Sequence, residues 1–166
     1  MDDDQTNDSD GTDKLQKFGL QAYMAAIYGS HEKLNKLLEE TNVTQYTDDL
    51  TGMMPIHAAA AWGNPKCIEV LVQHGCDVNQ FDSMNCLPIH HAARNGHTAT
   101  VEWLMKNGAN LLQYNLFGQK PADLAMANHF PELADIIGRQ TKKQVKALES
   151  KTLRASNSIE SRPDNA

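Results

Sequence analysis

Between residues 18 and 138 the apolar positions follow two alternating textures. Blocks of small residues, Ala58-Ala59-Ala60 and Ala92-Ala93, alternate with segments whose larger aliphatics fall at i, i+3 and i+4. These segments hold Leu34, Leu37 and Leu38, then Ile68, Leu71 and Val72, then Val101, Leu104 and Met105. That spacing places one apolar stripe along a helix. Pro55, Pro88 and Pro121 open the small-residue blocks, where a proline in the first helical turn loses no needed hydrogen bond and has φ already set. Gly63 and Gly96 close those blocks and Gly75 and Gly108 close the aliphatic segments, as helix-ending glycines do. Gly52, Asn85 and Gly118 sit between pairs, where a tight turn takes positive φ. The pattern predicts helix pairs joined by projecting hairpins, and one pair alone cannot bury its apolar side.

The pairs recur on a fixed ruler. Pro55, Pro88 and Pro121 are 33 residues apart, as are Gly63 and Gly96, Gly75 and Gly108, and the series Asp49, Asp82 and Asn115. Moving back 34 residues, Ala25-Ala26-Ile27-Tyr28-Gly29 matches the stretch from Ala59 to Gly63. Such a period marks a stack of structural repeats. Met54-Pro55-Ile56-His57-Ala58-Ala59 and Leu87-Pro88-Ile89-His90-His91-Ala92 carry most of a Thr-Pro-Leu-His-x-Ala signature, and in period and signature the units resemble ankyrin repeats. The resemblance covers residues 18–138 and departs from the family in named places. The signature threonine is Met54, Leu87 and Lys120, so the hydroxyl-to-histidine bond is missing. The first unit has Ala22 for the proline, and the fourth has Asp123 for the histidine and His129 for the glycine. Irregular end units suit caps, whose outer faces meet water.

The resemblance implies an all-α ankyrin-repeat solenoid of four helix-turn-helix units with short β-hairpin tips. The expected layout is an acidic, unordered arm over 1–14 and a repeat domain over 15–138, with units at about 18–48, 49–81, 82–114 and 115–138. A basic tail over 139–166 is expected to be part helix and then unordered. Val145, Leu148 and Leu153 predict a tail helix from about Leu133 to Leu153 whose weak stripe caps the stack.

Composition narrows the function classes. The 166 residues carry a net charge of −6, divided as −5 over residues 1–14, −5 over 15–138 and +4 over 139–166. An acidic body disfavours nucleic acid, whose phosphates need a basic face. No apolar run approaches a bilayer span. Met1 is followed by Asp2, Asp3 and Asp4, the opposite of a basic signal-peptide start, so secretion is not expected. Three cysteines, Cys67, Cys76 and Cys86, are an odd number without a disulfide framework, and the expected home is intracellular, cytoplasmic or nuclear. The Asn7-Asp8-Ser9 and Asn42-Val43-Thr44 matches to a glycosylation pattern then have no bearing.

The chemistry-bearing residues are sparse in pattern. Cys86 and His90 are four apart and His74 is near Cys76, yet no C-x-x-C or H-x-x-x-H pair occurs, which is poor spacing for structural zinc. A nucleophilic Cys86 beside His90 or His91 would sit at a hairpin tip with nothing to orient the base. No phosphate loop, nucleophile elbow or HExxH helix occurs. No catalytic residue, cofactor or metal is therefore assigned. Leu153-Arg154-Ala155-Ser156 resembles a basophilic kinase site.

By the resemblance, hairpin tips and the exposed ends of the first helices line the partner-facing side. Carried over position by position, these are Tyr28; Leu50, Thr51 and Met53 with Trp62; Phe81, Ser83, Met84 and Cys86 with Arg94 and Asn95; and Tyr114, Leu116, Phe117 and Gln119 with Asn128. Solvated tips normally hold Lys, Glu, Asp and Asn, so aromatic and methionine residues there mark a contact surface. The expected partner-binding residues are Tyr28, Leu50, Met53, Trp62, Phe81, Met84, Arg94, Asn95, Tyr114, Leu116 and Phe117. The implied function is a non-enzymatic adaptor or regulatory subunit, monomeric alone, that binds a protein and no small-molecule substrate or membrane. A kinase-docking cell-cycle regulator is one specific form, and a Cys/His metal or redox sensor is the alternative class.

Overall fold

The computed structural model describes residues 9–160, with side chains over 14–154. Eight helices and no strand occur among the described residues. They form four successive pairs: α1 (Ser9–Ile27) with α2 (His31–Glu40), α3 (Pro55–Ala61) with α4 (Pro65–Gln73), α5 (Pro88–Arg94) with α6 (Thr98–Lys106), and α7 (Pro121–Ala127) with α8 (Pro131–Glu160). The first helices stack α1 on α3, α3 on α5 and α5 on α7, and the second helices stack α2 on α4 and α4 on α6. The result is the all-α repeat solenoid that the period predicts.

The sequence textures account for the layers. Ala58, Ala59, Ala60, Ala92, Ala93 and Ala125 are wholly buried, so the inner helices approach one another through methyl groups. Leu34, Ile68, Leu71, Val101 and Leu104 are also fully buried and fill the space between the layers. Proline opens α3, α4, α5, α7 and α8. Two requirements meet at Gly63 and Gly96. Both have φ of +73°, and a Cβ would strike the ring of His97 at Gly63 or of Phe130 at Gly96. The fourth unit reaches the same backbone turn with His129, at φ of 68°, which costs strain that glycine avoids.

Histidine joins the units. His57 Nδ1 accepts the Met54 N–H at 3.2 Å, and its Nε2 donates to the Gln80 carbonyl at 2.9 Å, 23 residues along the chain. His90 repeats this with Leu87 N–H at 3.0 Å and the Gln113 carbonyl at 3.1 Å. Both rings must be neutral for this pattern, and burial pulls His57 down to about 4 and His90 in the same direction. Asp123 accepts only the Lys120 N–H, at 2.8 Å, so the fourth unit keeps half of the device.

The ends differ from the expected layout. Helix α1 begins at Ser9, inside the stretch assigned to the arm, and α8 runs unbroken from Pro131 to Glu160. No proline interrupts residues 139–160, and Lys, Gln, Ala, Leu and Glu there favour helix. The fourth unit and the tail are thus one rod. Its first part is tied down: Gln144 donates to the Ala109 carbonyl at 2.8 Å and accepts the Leu111 N–H at 3.2 Å. Beyond Val145 the stripe leaves a hollow open beside Leu112, and Leu148 and Leu153 that line it are exposed. Residues 1–8, 161–166 and the Ser156 side chain lie outside the described residues.

Candidate interaction surface

Each tip is held by one carboxyl or amide side chain. Asp82 Oδ1 accepts the N–H groups of Met84 at 2.9 Å and Cys86 at 2.8 Å. Asn115 Oδ1 does the same for Phe117 at 3.0 Å and Gln119 at 2.9 Å. Backbone bonds close the turns, from Asp82 N–H to the Cys86 carbonyl and from Asn115 N–H to the Gln119 carbonyl, each at 3.0 Å. Asn85 takes the positive-φ position at 57°. Neighbouring tips share one backbone bond each, from Ser83 N–H to the Gly52 carbonyl at 3.3 Å and from Leu116 N–H to the Met84 carbonyl at 3.1 Å. The tips are hydrogen-bonded turns linked in a row, and none is a strand hairpin.

The first tip departs from the ruler. Its anchor is Asp48, whose Oδ2 accepts the Thr51 N–H at 2.9 Å and hydroxyl at 2.7 Å, and whose N–H bonds the Met53 carbonyl. The sequence register assigns that role to Asp49, which is exposed. Asp48 and Met53 are five apart where Asp82 and Cys86 are four apart, so this tip is one residue longer. The extra length pushes Leu50 out to 95% exposure.

Most of the named residues face water. Tyr28, Leu50, Trp62, Phe81, Met84, Tyr114, Leu116 and Phe117 are exposed, and so are Arg94 and Asn95. Two carried-over positions are corrected. Met53 is half-buried and packs against the core, since it follows the added residue and turns inward. Cys86 is 2% exposed, because the Asp82 turn folds its side chain beneath the tip.

The exposed residues fall in two rows. Leu50, Phe81, Met84, Tyr114, Leu116 and Phe117 occupy the tips. Tyr28, Trp62, Asn95 and Asn128 follow the far ends of the inner helices, roughly 10 Å away for a seven-residue helix. A cleft of about 580 Å³ opens in the second row, lined by Ala61, Trp62, Arg94, Asn95, His97, Asn128 and Phe130. Its floor is fixed by Asn95 and His97, which donate to the Ala61 carbonyl at 2.7 and 2.9 Å. Phe130 and His97 escape a search for tip and helix-end positions, because each starts a second helix. The contact each makes with the preceding unit's glycine brings it to the cleft. In the tip row Lys120 Nζ lies 4.8 Å above the Tyr114 ring, which props that ring upright.

The cysteines are poor nucleophiles. Burial pushes Cys67 up to about 11 and Cys76 up to about 12, and also raises Cys86. His90 does not face Cys86 as base, since both its ring nitrogens serve backbone groups. His91 instead bonds Asp82 Oδ2 through Nε2 at 2.6 Å. Burial alone would raise the Asp82 pKa, but the His91 and Cys86 hydrogen bonds outweigh it and hold the carboxyl below its ordinary value. Asp82, Cys86 and His91 form the one group of three side chains among the described residues close enough to share a metal ion.

No described helix is long and apolar enough to cross a membrane. A search of curated proteins finds no match. The family described as Ankyrin repeats (3 copies) matches residues 22–115, more than half of the chain. With its proline-opened helix pairs, histidine bridges and linked tips, the chain belongs to the ankyrin repeat family, whose members are generally protein–protein interaction modules.

Proposed function

We propose that this chain is a non-enzymatic recognition module, an intracellular adaptor or regulatory subunit that captures a protein through its tip row and helix-end cleft. One observation carries this reading: Leu50, Phe81, Met84, Leu116 and Phe117 stand exposed along linked tips where a purely solvated edge would hold charged residues. The aromatic anchors are Tyr28, Trp62, Phe81, Tyr114 and Phe117, the side-chain types that dominate binding energy at protein interfaces. Arg94 and Asn95 supply polar contacts beside Trp62. Buried thiols with raised pKa values support the absence of nucleophilic catalysis, and free cysteines fit a reducing compartment.

The test is affinity purification from native cells with wild type and a Trp62→Ala/Phe117→Glu double variant. Both positions are exposed, so helical circular dichroism should match, while specifically retained proteins drop out with the variant. Identical retained sets would overturn the reading. Kinases among the lost proteins would support the kinase-docking form.

A further inference from the structure

We propose that Asp82, Cys86 and His91 form a binding site for one zinc-class divalent cation beneath the second tip. Their ligand atoms all lie within 4.8 Å of one another. One carboxylate oxygen, one thiolate sulfur and one imidazole nitrogen make a borderline-soft donor set suited to zinc, with a fourth position left for water. Two of the three are already aimed. Asp82 is anchored by the Met84 and Cys86 N–H groups through its other oxygen, and that same bond fixes the backbone of Cys86.

A second observation points independently to a ligand. Asn115 is 4% exposed, and its Nδ2 has no hydrogen-bond partner. Its side chain stands beside the Cys86 sulfur. A neutral thiol accepts hydrogen bonds weakly, whereas a metal-bound thiolate accepts well, so loading would satisfy a buried donor that otherwise costs stability. Charge agrees as well. One divalent cation with Asp82 carboxylate, Cys86 thiolate and neutral His91 sums to zero, which suits a nearly closed site.

Loading breaks the Cys86 S–H bond and forms a sulfur–metal bond, with the proton released to solvent. His91 gives up its Nε2 proton and takes one at Nδ1, so the neutral ring switches tautomer and the His91–Asp82 hydrogen bond is replaced by two bonds to the cation. Tetrahedral zinc sets its nitrogen and oxygen ligands roughly 3.3 Å apart, so this pair opens by about 0.7 Å from its present 2.6 Å. His91 retains 11% side-chain exposure while Asp82 retains 1%, which marks the His91 side as the route of entry. A bound cation would stiffen the tip that presents Phe81 and Met84. The site does not depend on the partner-binding reading.

Reduced, metal-free full-length protein titrated with Co²⁺ tests the site. One equivalent should give a thiolate-to-cobalt charge-transfer band with strong tetrahedral visible absorption, and Zn²⁺ should abolish both. Cys86→Ser should remove the charge-transfer band, and a Cys67→Ser/Cys76→Ser double variant should keep it. Asp82→Asn retains the turn-forming oxygen, as Asn115 does in the next tip, so it should fold normally while weakening Co²⁺ about tenfold or more. X-ray absorption of the zinc form should show one sulfur neighbour. No thiolate band in the wild type, or a band that survives Cys86→Ser, would overturn the proposal.

Discussion

Tips two and three are built on one frame and differ in a single atom of the anchoring side chain. Asp82 and Asn115 each use Oδ1 to hold two N–H groups, two and four residues ahead. The remaining atom of Asp82 meets His91, and the remaining atom of Asn115 meets no partner. The register explains why: 33 residues after His91 stands Leu124, which is buried and apolar. An amide therefore suffices to form this turn. The carboxylate of tip two and the histidine that faces it are a matched pair added to a frame that does not need them.

The most damaging way to break the comparison is to remove half of the pair. His91→Leu copies Leu124 but leaves the buried Asp82 Oδ2 without its hydrogen-bond donor, at a cost of about 2 kcal/mol. Asp82→Asn/His91→Leu rebuilds tip two as tip three and should recover most of that loss. Urea unfolding of the metal-free single and double variants measures the coupling. Equal losses in both would show that His91 packs and does not pair.

Acid tests the shared frame. His57 and His90 bridge under successive units alike, and both are held neutral. The folded pKa of His57, about 4, lies below the ordinary 6.5, so the unfolded chain binds the proton first. Stability is full above about pH 6.5 and falls as pH drops toward 4, by about 3 kcal/mol for His57 across the window. His90 acts in the same direction. Wild type and Asp82→Asn/His91→Leu should lose stability over nearly the same range there, because burial, the largest cause of the lowered His57 value, stays, while His91 and Asp82 push it in opposite directions. The Asp82 contribution is separate, since its lowered pKa confines it to the range below the ordinary carboxylate value.

A gentler contrast lies in the outer helices. Cys67 and Thr100 occupy the same register and both are buried. The Cys67 sulfur reaches the Ala25 carbonyl at 3.9 Å, whereas the Thr100 hydroxyl has no partner. Thr100→Val deletes that hydroxyl at nearly constant shape and should raise stability by about 1 kcal/mol. A lower thermal midpoint would mean that Thr100 makes a bond that its present geometry does not show.

What could be seen in advance follows the repeat. Helix pairs and glycine ends were legible because each is a local requirement imposed several times over. The metal-capable group was not, since spacing alone pairs Cys86 with His90. The choice of His91 depends on helix phase: His90 faces the backbone of the next unit, and its neighbour swings toward Asp82. The tail misled for a related reason. A weak stripe signals which face of α8 is apolar, but not that the stack ends before Leu148 does.

The smallest effect on the fold is expected where the ruler slips. Asp49 sits on the 33-residue register and Asp48 does the work, because tip one is one residue longer than tips two and three. Leu50 is almost fully in water, so Leu50→Ser should change unfolding free energy by no more than about 0.5 kcal/mol. An apolar side chain at that exposure gains nothing for the fold. If it is there to be covered by a partner, Leu50→Ser should weaken capture of the proteins lost with Trp62→Ala/Phe117→Glu. Unchanged capture alongside unchanged stability would confine the contact surface to tips two and three and the helix-end cleft.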